Sequence, residues 1–302
     1  MTCILCGKKS VIDLQQGPLC RNCFIRNFQK KVYKTVRKFR LFTKRDRLCF
    51  AVSGGPGSLS VLYIVKNIAK QQRQQFFAVN IDEGGKGCKN RAEHVERFCR
   101  KHGIESVFLS FEEEFGKFCE ELSREIKKKK LDIECSELCT MLRMNILAKY
   151  AKRVGAARVA LGNSLDDEAR AFMMNLLGEG TPITSGLGPS LDFSGVKFIK
   201  PLYMCTAEEI SLYAKYMHFG TGCDCACSRN SKGAFMSRKL ESIENDYPGT
   251  KTSIIQNMIR LMPALKKEFS KGDINNCKIC GEPSKNSVCK SCSTLKKLGI
   301  KY

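Results

Sequence analysis

The chain has 302 residues and carries 52 Lys and Arg against 30 Asp and Glu, so its formal net charge is +22. This length suits about two domains, and a hydrophobic fraction of 43% is that of a globular protein. The composition excludes a disordered tail, and no apolar run is long enough to span a bilayer. We expect no secretory signal, and so positive a charge predicts a polyanionic partner.

Cysteine is abundant, whereas histidine is rare. The chain has 18 Cys and 3 His, and without secretion the thiols are expected to bind metals or take part in catalysis. Two Cys-x-x-Cys pairs near the N-terminus predict a closed zinc ribbon, because two such turns complete a tetrahedral four-thiolate site. The four ligands are Cys3, Cys6, Cys20 and Cys23.

A basic segment follows at residues 26–46. Its apolar residues Phe28, Val32, Val36 and Phe39 recur every three to four positions, which predicts an amphipathic helix with one buried stripe. Its charges are almost all positive, so we interpret the outer face as a surface for phosphate groups. The candidate binding residues are Lys30, Lys34, Arg37 and Lys38.

A strand at residues 47–52 runs into a Gly-rich turn, and a helix begins directly after it. Pro56 suits the first position of a helix, where its missing N–H is not needed. Exposed backbone N–H groups and the positive end of the helix dipole predict an anion site at this turn. The candidate phosphate-binding residues are Ser53, Gly54, Gly55, Gly57 and Ser58.

Strands and helices alternate through the middle of the chain. Further strands are predicted at residues 76–81, 106–109 and 157–161, each near a helix, which is typical of a parallel sheet with its ligand at the carboxyl ends of the strands. The candidate residues at two of these strand ends are Asp82 and Glu83, and Gly162, Asp166 and Asp167. Together with the Gly-rich turn, they predict a site for a nucleotide and Mg²⁺.

A second set of four cysteines lies near the C-terminus: Cys277, Cys280, Cys289 and Cys292. They repeat the two-pair pattern of the N-terminal ribbon and predict a second closed zinc site. Eight thiolates thus predict two structural Zn²⁺ ions, with no ligand position left open for a substrate.

The order of these motifs resembles a known family. The motifs in chain order are a zinc ribbon, a basic helix, a Ser-Gly-Gly-x-x-Ser turn, Asp82-Glu83-Gly84, Gly162 with Asp166-Asp167, Pro201-Leu202 with Glu208-Glu209-Ile210, and a final ribbon. This order is similar to that of the PP-loop ATP pyrophosphatases of the cytoplasmic tRNA 2-thiolation protein 1 family. The resemblance covers nearly the whole chain. It implies an α/β fold, a Rossmann-like PP-loop parallel sheet of the adenine nucleotide alpha hydrolase type, flanked by N- and C-terminal zinc ribbons.

The motifs divide the chain into five expected parts. These are the N-terminal ribbon at residues 1–25, the basic helix at 26–46, a PP-loop ATP-binding catalytic domain at 47–220, a Cys-rich loop with a helical tRNA-binding region at 221–272, and the C-terminal ribbon at 273–302.

The family resemblance implies an ATP-dependent tRNA sulfurtransferase in the cytoplasm. Such enzymes adenylate the C2 oxygen of the wobble uridine and replace that oxygen with sulfur. The implied cofactors are ATP and Mg²⁺, in addition to the two zinc ions. The implied partners are tRNA, a second thiolation subunit and a ubiquitin-like sulfur carrier protein, with no membrane involved.

The Gly-rich turn departs from the family pattern, which is usually Ser-Gly-Gly-Lys-Asp-Ser. Here Pro56 stands in place of the lysine and Gly57 in place of the aspartate. Backbone N–H groups and the metal must then stabilise the reacting phosphates, so we expect slow turnover of ATP. We also expect the substitution Gly57→Asp to be neutral or to accelerate the reaction.

The cysteines outside the ribbons include three candidate catalytic thiols, Cys135, Cys139 and Cys223. The family's internal Cys-x-x-Cys resembles Cys135 and Cys139, which are one residue further apart but still face the same side of a helix. Sulfur transfer needs either a persulfide-bearing thiolate with a resolving thiol, or three thiolates that hold an iron–sulfur cluster. Cys225 and Cys227 are expected to matter less. The expected inert packing residues are Cys49, Cys99, Cys119 and Cys205.

Two other functions stay open. The first is a tRNA-binding subunit of a thiolation complex that has lost its catalysis, which the substitutions at Pro56 and Gly57 favour. The retained Asp166, Asp167 and internal cysteines argue against it, because a pure binding module needs none of them. The second is a PP-loop enzyme that modifies another tRNA base, by cytidine 2-thiolation or lysidine synthesis, but two terminal ribbons fit it poorly.

Overall fold

The computed structural model describes residues 1–14, 17–85, 88–178, 186–220, 231–269, 275–280, 283–284 and 286–300. Within these ranges, no helix is both long enough and apolar enough to cross a bilayer.

The N-terminal ribbon is continuous with the basic helix. Its hairpin consists of β1 (Ile12–Leu14) and β2 (Gly17–Leu19), and helix α1 (Arg21–Lys38) begins directly after Cys20. The helix starts before the predicted segment 26–46 because the last Cys-x-x-Cys turn of the ribbon is also its first turn. It ends earlier as well, since Arg40 adopts a left-handed φ of 46°.

Six strands form the central sheet: β3 (Leu48–Ala51), β4 (Phe76–Asp82), β5 (Ser106–Ser110), β6 (Arg158–Ala160), β7 (Ser190–Phe193) and β8 (Val196–Ile199). Their order in the sheet is β5-β4-β3-β6-β8-β7. Neighbouring strands are parallel, except that β7 pairs with β8 in the antiparallel sense at one edge. The predicted parallel α/β sheet is confirmed, with one antiparallel edge strand in addition.

The helices that connect or follow these strands are α2 (Pro56–Gln71), α3 (Cys88–His102), α4 (Phe111–Phe115), α5 (Cys119–Lys128), α6 (Cys135–Arg153), α7 (Leu165–Leu177) and α8 (Ala207–Tyr216). From β3 the chain crosses through α2 to β4 and through α3 to β5. It then returns through α4, α5 and α6 to β6, on the other side of β3. Such a reversal of strand order opens a crevice at the carboxyl ends of the strands, where ligands bind in this class of fold.

The apolar stripe of α1 packs against α8, beside the sheet. Phe24, Phe28 and Val32 are buried, and Phe28 stacks on Tyr213 with ring centroids 4.5 Å apart. The basic helix is therefore anchored through one face, as its periodicity predicts, and its opposite face carries the cations.

Two further helices, α9 (Lys232–Asp246) and α10 (Thr250–Phe269), pack on α7. The contact is apolar and includes the buried side chains of Leu165, Ala169, Leu240, Ile255 and Met258. These helices lie next to α7, whose first turn holds two of the predicted site residues.

The C-terminal ribbon shares a hydrophobic core with the sheet domain. It comprises β9 (Asn275–Asn276), β10 (Pro283–Ser284) and α11 (Lys290–Lys297). Leu295 and Leu298 are buried in one cluster with Leu122 of α5 and Leu142 of α6. The Ser194 hydroxyl also donates to the Cys280 carbonyl at 2.7 Å. The ribbon is thus packed onto the helices that carry the internal cysteines.

Candidate active site

The Gly-rich turn lies at the crevice between β3 and β6. Gly55 caps α2 with extended backbone angles, and Pro56 occupies the first turn, as the sequence predicts. The Ser58 hydroxyl donates to the Gly55 carbonyl at 3.0 Å and lies 3.3 Å from the Ser53 hydroxyl, so the two serines brace the turn. The first N–H groups of a helix lack partners within it, and the first turn of α2 contains no acidic side chain. The turn therefore suits an anion.

Gly57 and Gly162 bring the ends of β3 and β6 into direct backbone contact. A Cβ on Gly57 would overlap the carbonyl oxygen of Gly162, and a Cβ on Gly162 would lie 2.5 Å from the backbone nitrogen of Ser58. Glycine is needed at both positions because the two main chains leave no room for a side chain. An aspartate at position 57 must push the two turns apart, which opposes the expectation that Gly57→Asp is neutral or accelerating, although the effect of this substitution on turnover stays a prediction.

Asp82 and Asp167 each accept hydrogen bonds from nearby backbone. Asp82 accepts from the N–H of Gly84 at 2.8 Å and tightens the turn after β4. Asp167 accepts from the N–H of Ser164 at 2.9 Å, caps its own helix and pairs with Arg170 at 3.0 Å. Both lie at the strand ends where the sequence predicts them, and a role in holding Mg²⁺ stays a prediction.

Asp166 ties three helices together. One carboxylate oxygen accepts from the N–H of Ala207 at 2.7 Å, and the other is 2.8 Å from the ammonium of Lys251, which also pairs with Glu241. Burial alone would lower the pKa of Lys251, but hydrogen bonds to Asp166 and Glu241 outweigh burial and raise it, so Lys251 is a cation. Mg²⁺ would have to share Asp166 with this cation.

A buried ion pair that the sequence analysis missed lies at the end of β8. The Lys200 ammonium is 2.6 Å from Glu168 and donates to the Gly186 carbonyl at 2.7 Å, while Glu168 accepts from the N–H of Gly188. Burial raises the pKa of Glu168, and the charge of Lys200 opposes that rise. The pair fixes the segment before β7, and its one sequence signal is a lysine that follows an apolar strand.

The structure brings together the predicted ligands of each ribbon. The sulfurs of Cys3, Cys6, Cys20 and Cys23 lie within 4.8 Å of one another, and so do those of Cys277, Cys280, Cys289 and Cys292. The N–H of Cys289 donates to the Cys277 sulfur at 3.2 Å, and a hydrogen bond from the Cys23 backbone lowers the pKa of Cys20. These bonds favour thiolates, the form that binds metal. Each set fits a closed structural Zn²⁺ site.

The internal cysteines form a third cluster, and its membership differs from the prediction. Cys135 and Cys139 are joined by Cys119, and the three sulfurs lie within 4.8 Å of one another. Cys119 is therefore not the isolated packing residue that its apolar neighbours predict. Its partners are 16 and 20 residues away along the chain, so no spacing rule identifies them. Cys223, Cys225 and Cys227 lie outside the described residues.

The other single cysteines fit their predicted role as packing residues. Cys49, Cys99 and Cys205 are buried, and burial raises the pKa of Cys49 to about 12 and that of Cys99 to about 11. They are held as neutral thiols, which are poor nucleophiles and poor metal ligands.

Glu83 links the internal cysteines to the end of β4. Its carbonyl accepts from the N–H of Cys119 at 2.9 Å, and its carboxylate is 3.1 Å from the guanidinium of Arg143. Arg143 in turn donates to the carbonyl of Cys139 at 3.3 Å. The cysteine cluster and the strand ends of the nucleotide crevice are thus parts of one edge of the sheet.

The basic face of α1 forms one wall of an open cavity of about 570 Å³. Its lining residues are Lys31, Lys34, Thr35, Arg37, Lys38 and Met204. Lys31 is paired with Glu209, whereas Lys34, Arg37 and Lys38 are exposed. Lys30 is also exposed, but it does not line the cavity. Met204 follows β8, so the cavity opens at the carboxyl end of the sheet, the same end as the crevice.

A parallel sheet with a braced Gly-rich turn at its switch point, a cysteine cluster at the same edge and two four-cysteine ribbons defines a nucleotide-binding protein of the PP-loop class. Residues 25–224 match the family model of the PP-loop domain, and the chain belongs to that family.

Within the PP-loop family, the chain is similar to proteins named as tRNA thiolation enzymes. The chain is 28% identical to the tRNA-5-methyluridine(54) 2-sulfurtransferase of Pyrococcus horikoshii, over 97% of this chain and 93% of that protein. It is 27% identical to cytoplasmic tRNA 2-thiolation protein 1 of Aspergillus niger, over 93% of this chain and 82% of that protein. Among solved structures, it is similar to the U34-tRNA thiolase NcsA of Methanococcus maripaludis with its 4Fe–4S cluster. That match has a TM-score of 0.80 and 29% identity, over 100% of this chain and 98% of the other.

We predict two zinc ions per chain, each contributing to stability. Cys277→Ser is expected to remove one zinc and to lower the temperature of unfolding, because binding energy at a structural zinc site is folding energy. Cys99→Ser is the matched control, since Cys99 is buried outside the three clusters and its sulfur is hydrogen-bonded to Ser106. Elemental analysis and thermal unfolding measure both effects. A Cys277→Ser protein that keeps two zinc ions would contradict the assignment.

We also predict that the crevice does not tolerate a methyl group at position 57. Gly57→Ala is expected to cost about 1–3 kcal/mol of unfolding free energy through overpacking and to weaken ATP binding. Gly55→Ala is the control, because its Cβ would come no closer than 3.6 Å to a neighbouring atom. Denaturant unfolding and ATP titration of the two variants compare the positions. Equal stability and equal ATP affinity would mean that the contact with Gly162 relaxes freely.

Proposed function

We propose that this protein is an ATP-dependent tRNA sulfurtransferase that adenylates the C2 oxygen of the wobble uridine and replaces that oxygen with sulfur. The observation that carries the proposal is the link through Glu83, which joins a cluster of thiols to the strand ends that flank the PP-loop. A nucleotide site and a sulfur site on one edge of the sheet are what adenylation followed by sulfur transfer requires. The names of the two relatives and of NcsA support sulfur transfer to tRNA.

The PP-loop acts mainly through its backbone. The N–H groups at the start of α2 and the positive end of its dipole stabilise the phosphates of ATP while the uridine oxygen attacks the α-phosphorus and pyrophosphate leaves. Pro56 and Gly57 offer no charged side chain, so Ser53 and Ser58 keep the turn in shape. Asp82, Asp166 and Asp167 are proposed to support Mg²⁺ on the leaving pyrophosphate.

The second half-reaction belongs to the internal thiols. In the persulfide route, the outer sulfur of a persulfide on Cys139 or Cys223 would attack C2 of the adenylated uridine, and AMP would leave with the original oxygen. A second internal thiolate, such as Cys135, would then attack the cysteine sulfur of the resulting S–S bond, which releases 2-thiouridine and leaves a protein disulfide. In the alternative route, the internal cysteines would hold a cluster. The three described cysteines, once reduced, fit an iron–sulfur cluster in number, proximity and ligand type. Such a cluster, when bound, supplies an iron site to which sulfide can be attached.

The proposed partners follow from charge and from the relatives. A net charge of +22 and a cavity lined by Lys34, Arg37 and Lys38 suit tRNA phosphates. A ubiquitin-like sulfur carrier protein is proposed as the sulfur donor, and a second thiolation subunit is proposed as the partner of this chain. A cytoplasmic location is proposed because a relative of nearly full coverage carries that name.

The decisive experiment incubates purified protein with tRNA, ATP and sulfide, with and without a second thiolation subunit. Mass spectrometry of nuclease fragments measures 2-thiouridine and its position, and AMP release is measured in the same reaction. We expect AMP and wobble 2-thiouridine from the wild type. Gly55→Glu should abolish both, because the new carboxylate blocks the phosphate turn, and Cys139→Ser should abolish only 2-thiouridine.

Other outcomes would favour other functions. Sulfur at position 54 would move the substrate to the site named for the Pyrococcus relative. If the protein binds no ATP and releases no AMP under any condition, a non-catalytic tRNA-binding subunit is favoured. Pro56 and Gly57 in the Gly-rich turn, and the close contact of Gly57 with Gly162, are consistent with that function. Modification of another base would favour a different PP-loop chemistry.

The tRNA surface has its own test. Phosphate contacts release counterions, so neutralising Lys34, Arg37 and Lys38 to Gln should weaken tRNA binding and reduce the log–log salt slope by about 2–3. The matched control neutralises three exposed lysines near the end of α5, Lys127, Lys128 and Lys130, and removes the same charge. Affinities measured across a salt series compare the two. Equal effects of both triple variants would show a general charge effect and no binding face on α1.

A further inference from the structure

Three cysteines converge where α5 and α6 begin. Cys119 is the first residue of α5, Cys135 is the first residue of α6, and Cys139 follows one turn later. The Cys135 sulfur is 3.7 Å from that of Cys119 and 3.7 Å from that of Cys139. Cys119 and Cys139 are joined as a disulfide, with Cα atoms 6.6 Å apart. The sulfur of Cys119 is therefore as close to the internal pair as the two members of that pair are to each other.

The surroundings of Cys119 hold its sulfur in this place. Its N–H donates to the Glu83 carbonyl, and α5 packs on α6 and α11 through Leu122 and Ile126 in one buried cluster. Two helix N-termini also meet at the cluster, and their dipoles favour negatively charged thiolates. Cys119 and Cys139 are buried, each 1% exposed, whereas Cys135 is partly exposed. Reactants can thus reach the cluster from the Cys135 side.

The ligand number separates this cluster from the ribbons. Each ribbon supplies four sulfurs and closes its metal site, whereas the internal cluster supplies three from the described residues. Thiolates select zinc or iron–sulfur clusters, and three thiolates leave one position of a cluster for an external ligand. A site that must accept sulfur needs such an opening, and a structural zinc site does not.

We propose that Cys119 is a ligand of the internal iron–sulfur site, together with Cys135 and Cys139. The disulfide is the oxidised form of the empty site. A dithiol reduces it: two electrons and two protons convert Cys119 and Cys139 to thiols as the dithiol becomes a disulfide. The three thiols then release three protons as they bind iron. The use of the site in thiolation depends on the proposed function, but its binding of iron does not.

The test is anaerobic reconstitution of the full-length chain without tRNA or ATP. The protein is reduced with a dithiol and incubated with ferrous iron and sulfide, and unbound iron is removed. Iron, acid-labile sulfide and visible absorption are then measured for the wild type, Cys119→Ser, Cys139→Ser and the buried control Cys99→Ser. Zinc is measured in the same samples, since two zinc ions per chain report that both ribbons and the fold are intact.

We expect Cys119→Ser to lose iron and sulfide as fully as Cys139→Ser. Removing an outer partner of a metal site lowers metal affinity by about 10- to 100-fold. Removing a direct ligand should lower the affinity for iron by at least that much. Zinc should stay at the wild-type value, and Cys99→Ser should load normally. Wild-type iron and sulfide in Cys119→Ser would overturn the proposal and return Cys119 to a packing role. A third zinc in place of iron in the wild type would overturn it as well. Neither outcome bears on AMP release, so the proposed function is judged separately.

Discussion

Strand β3 is paired in parallel with β4 on one side and with β6 on the other, and the candidate site depends on that pairing. Parallel strands end at the same edge, so the turn at Ser53, the carboxylate of Asp82 and the turn at Gly162 follow neighbouring strands. Leu48, Cys49 and Phe50 are all buried, so both faces of β3 are covered, as is usual for a parallel strand in an α/β protein. Helices on both faces keep the sheet in this arrangement.

Because of the same pairing, main-chain groups contribute more than side chains to the electrostatic potential at the Gly-rich turn. Gly57 and Gly162 touch through their backbones, which leaves the N–H groups of the first turn of α2 as the local source of positive potential. The two aspartates in the first turn of α7 form salt bridges, Asp166 with Lys251 and Asp167 with Arg170. Cationic side chains gather elsewhere, on the outer face of α1. In the proposed function, the nucleotide therefore binds through backbone N–H groups and the tRNA through the cations of α1.

The internal cysteines and the C-terminal ribbon share one hydrophobic core. Leu295 and Leu298 of α11 are buried beside Leu138 and Leu142 of α6, in the cluster that also contains Cys119 and Cys139. The C-terminal ribbon, more than a hundred residues away in sequence, therefore contributes to the position of the internal cysteines. Packing transmits this support because close-packed interiors do not deform freely.

The sequence by itself determined the elements that depend on local physics. The apolar runs at residues 47–52 and 76–81, Pro56 after two glycines, the stripe of Phe28 and Val32, and the two-pair cysteine patterns each follow from contacts a few residues apart, and the structure contains all of them. Tertiary structure alone decided what distant segments do to one another. It placed Cys119 beside Cys135 and Cys139, brought the backbone of Gly162 into contact with Gly57, and paired Asp166 with Lys251, which is 85 residues away. No periodicity encodes these contacts, because they arise only when the sheet and its helices pack together.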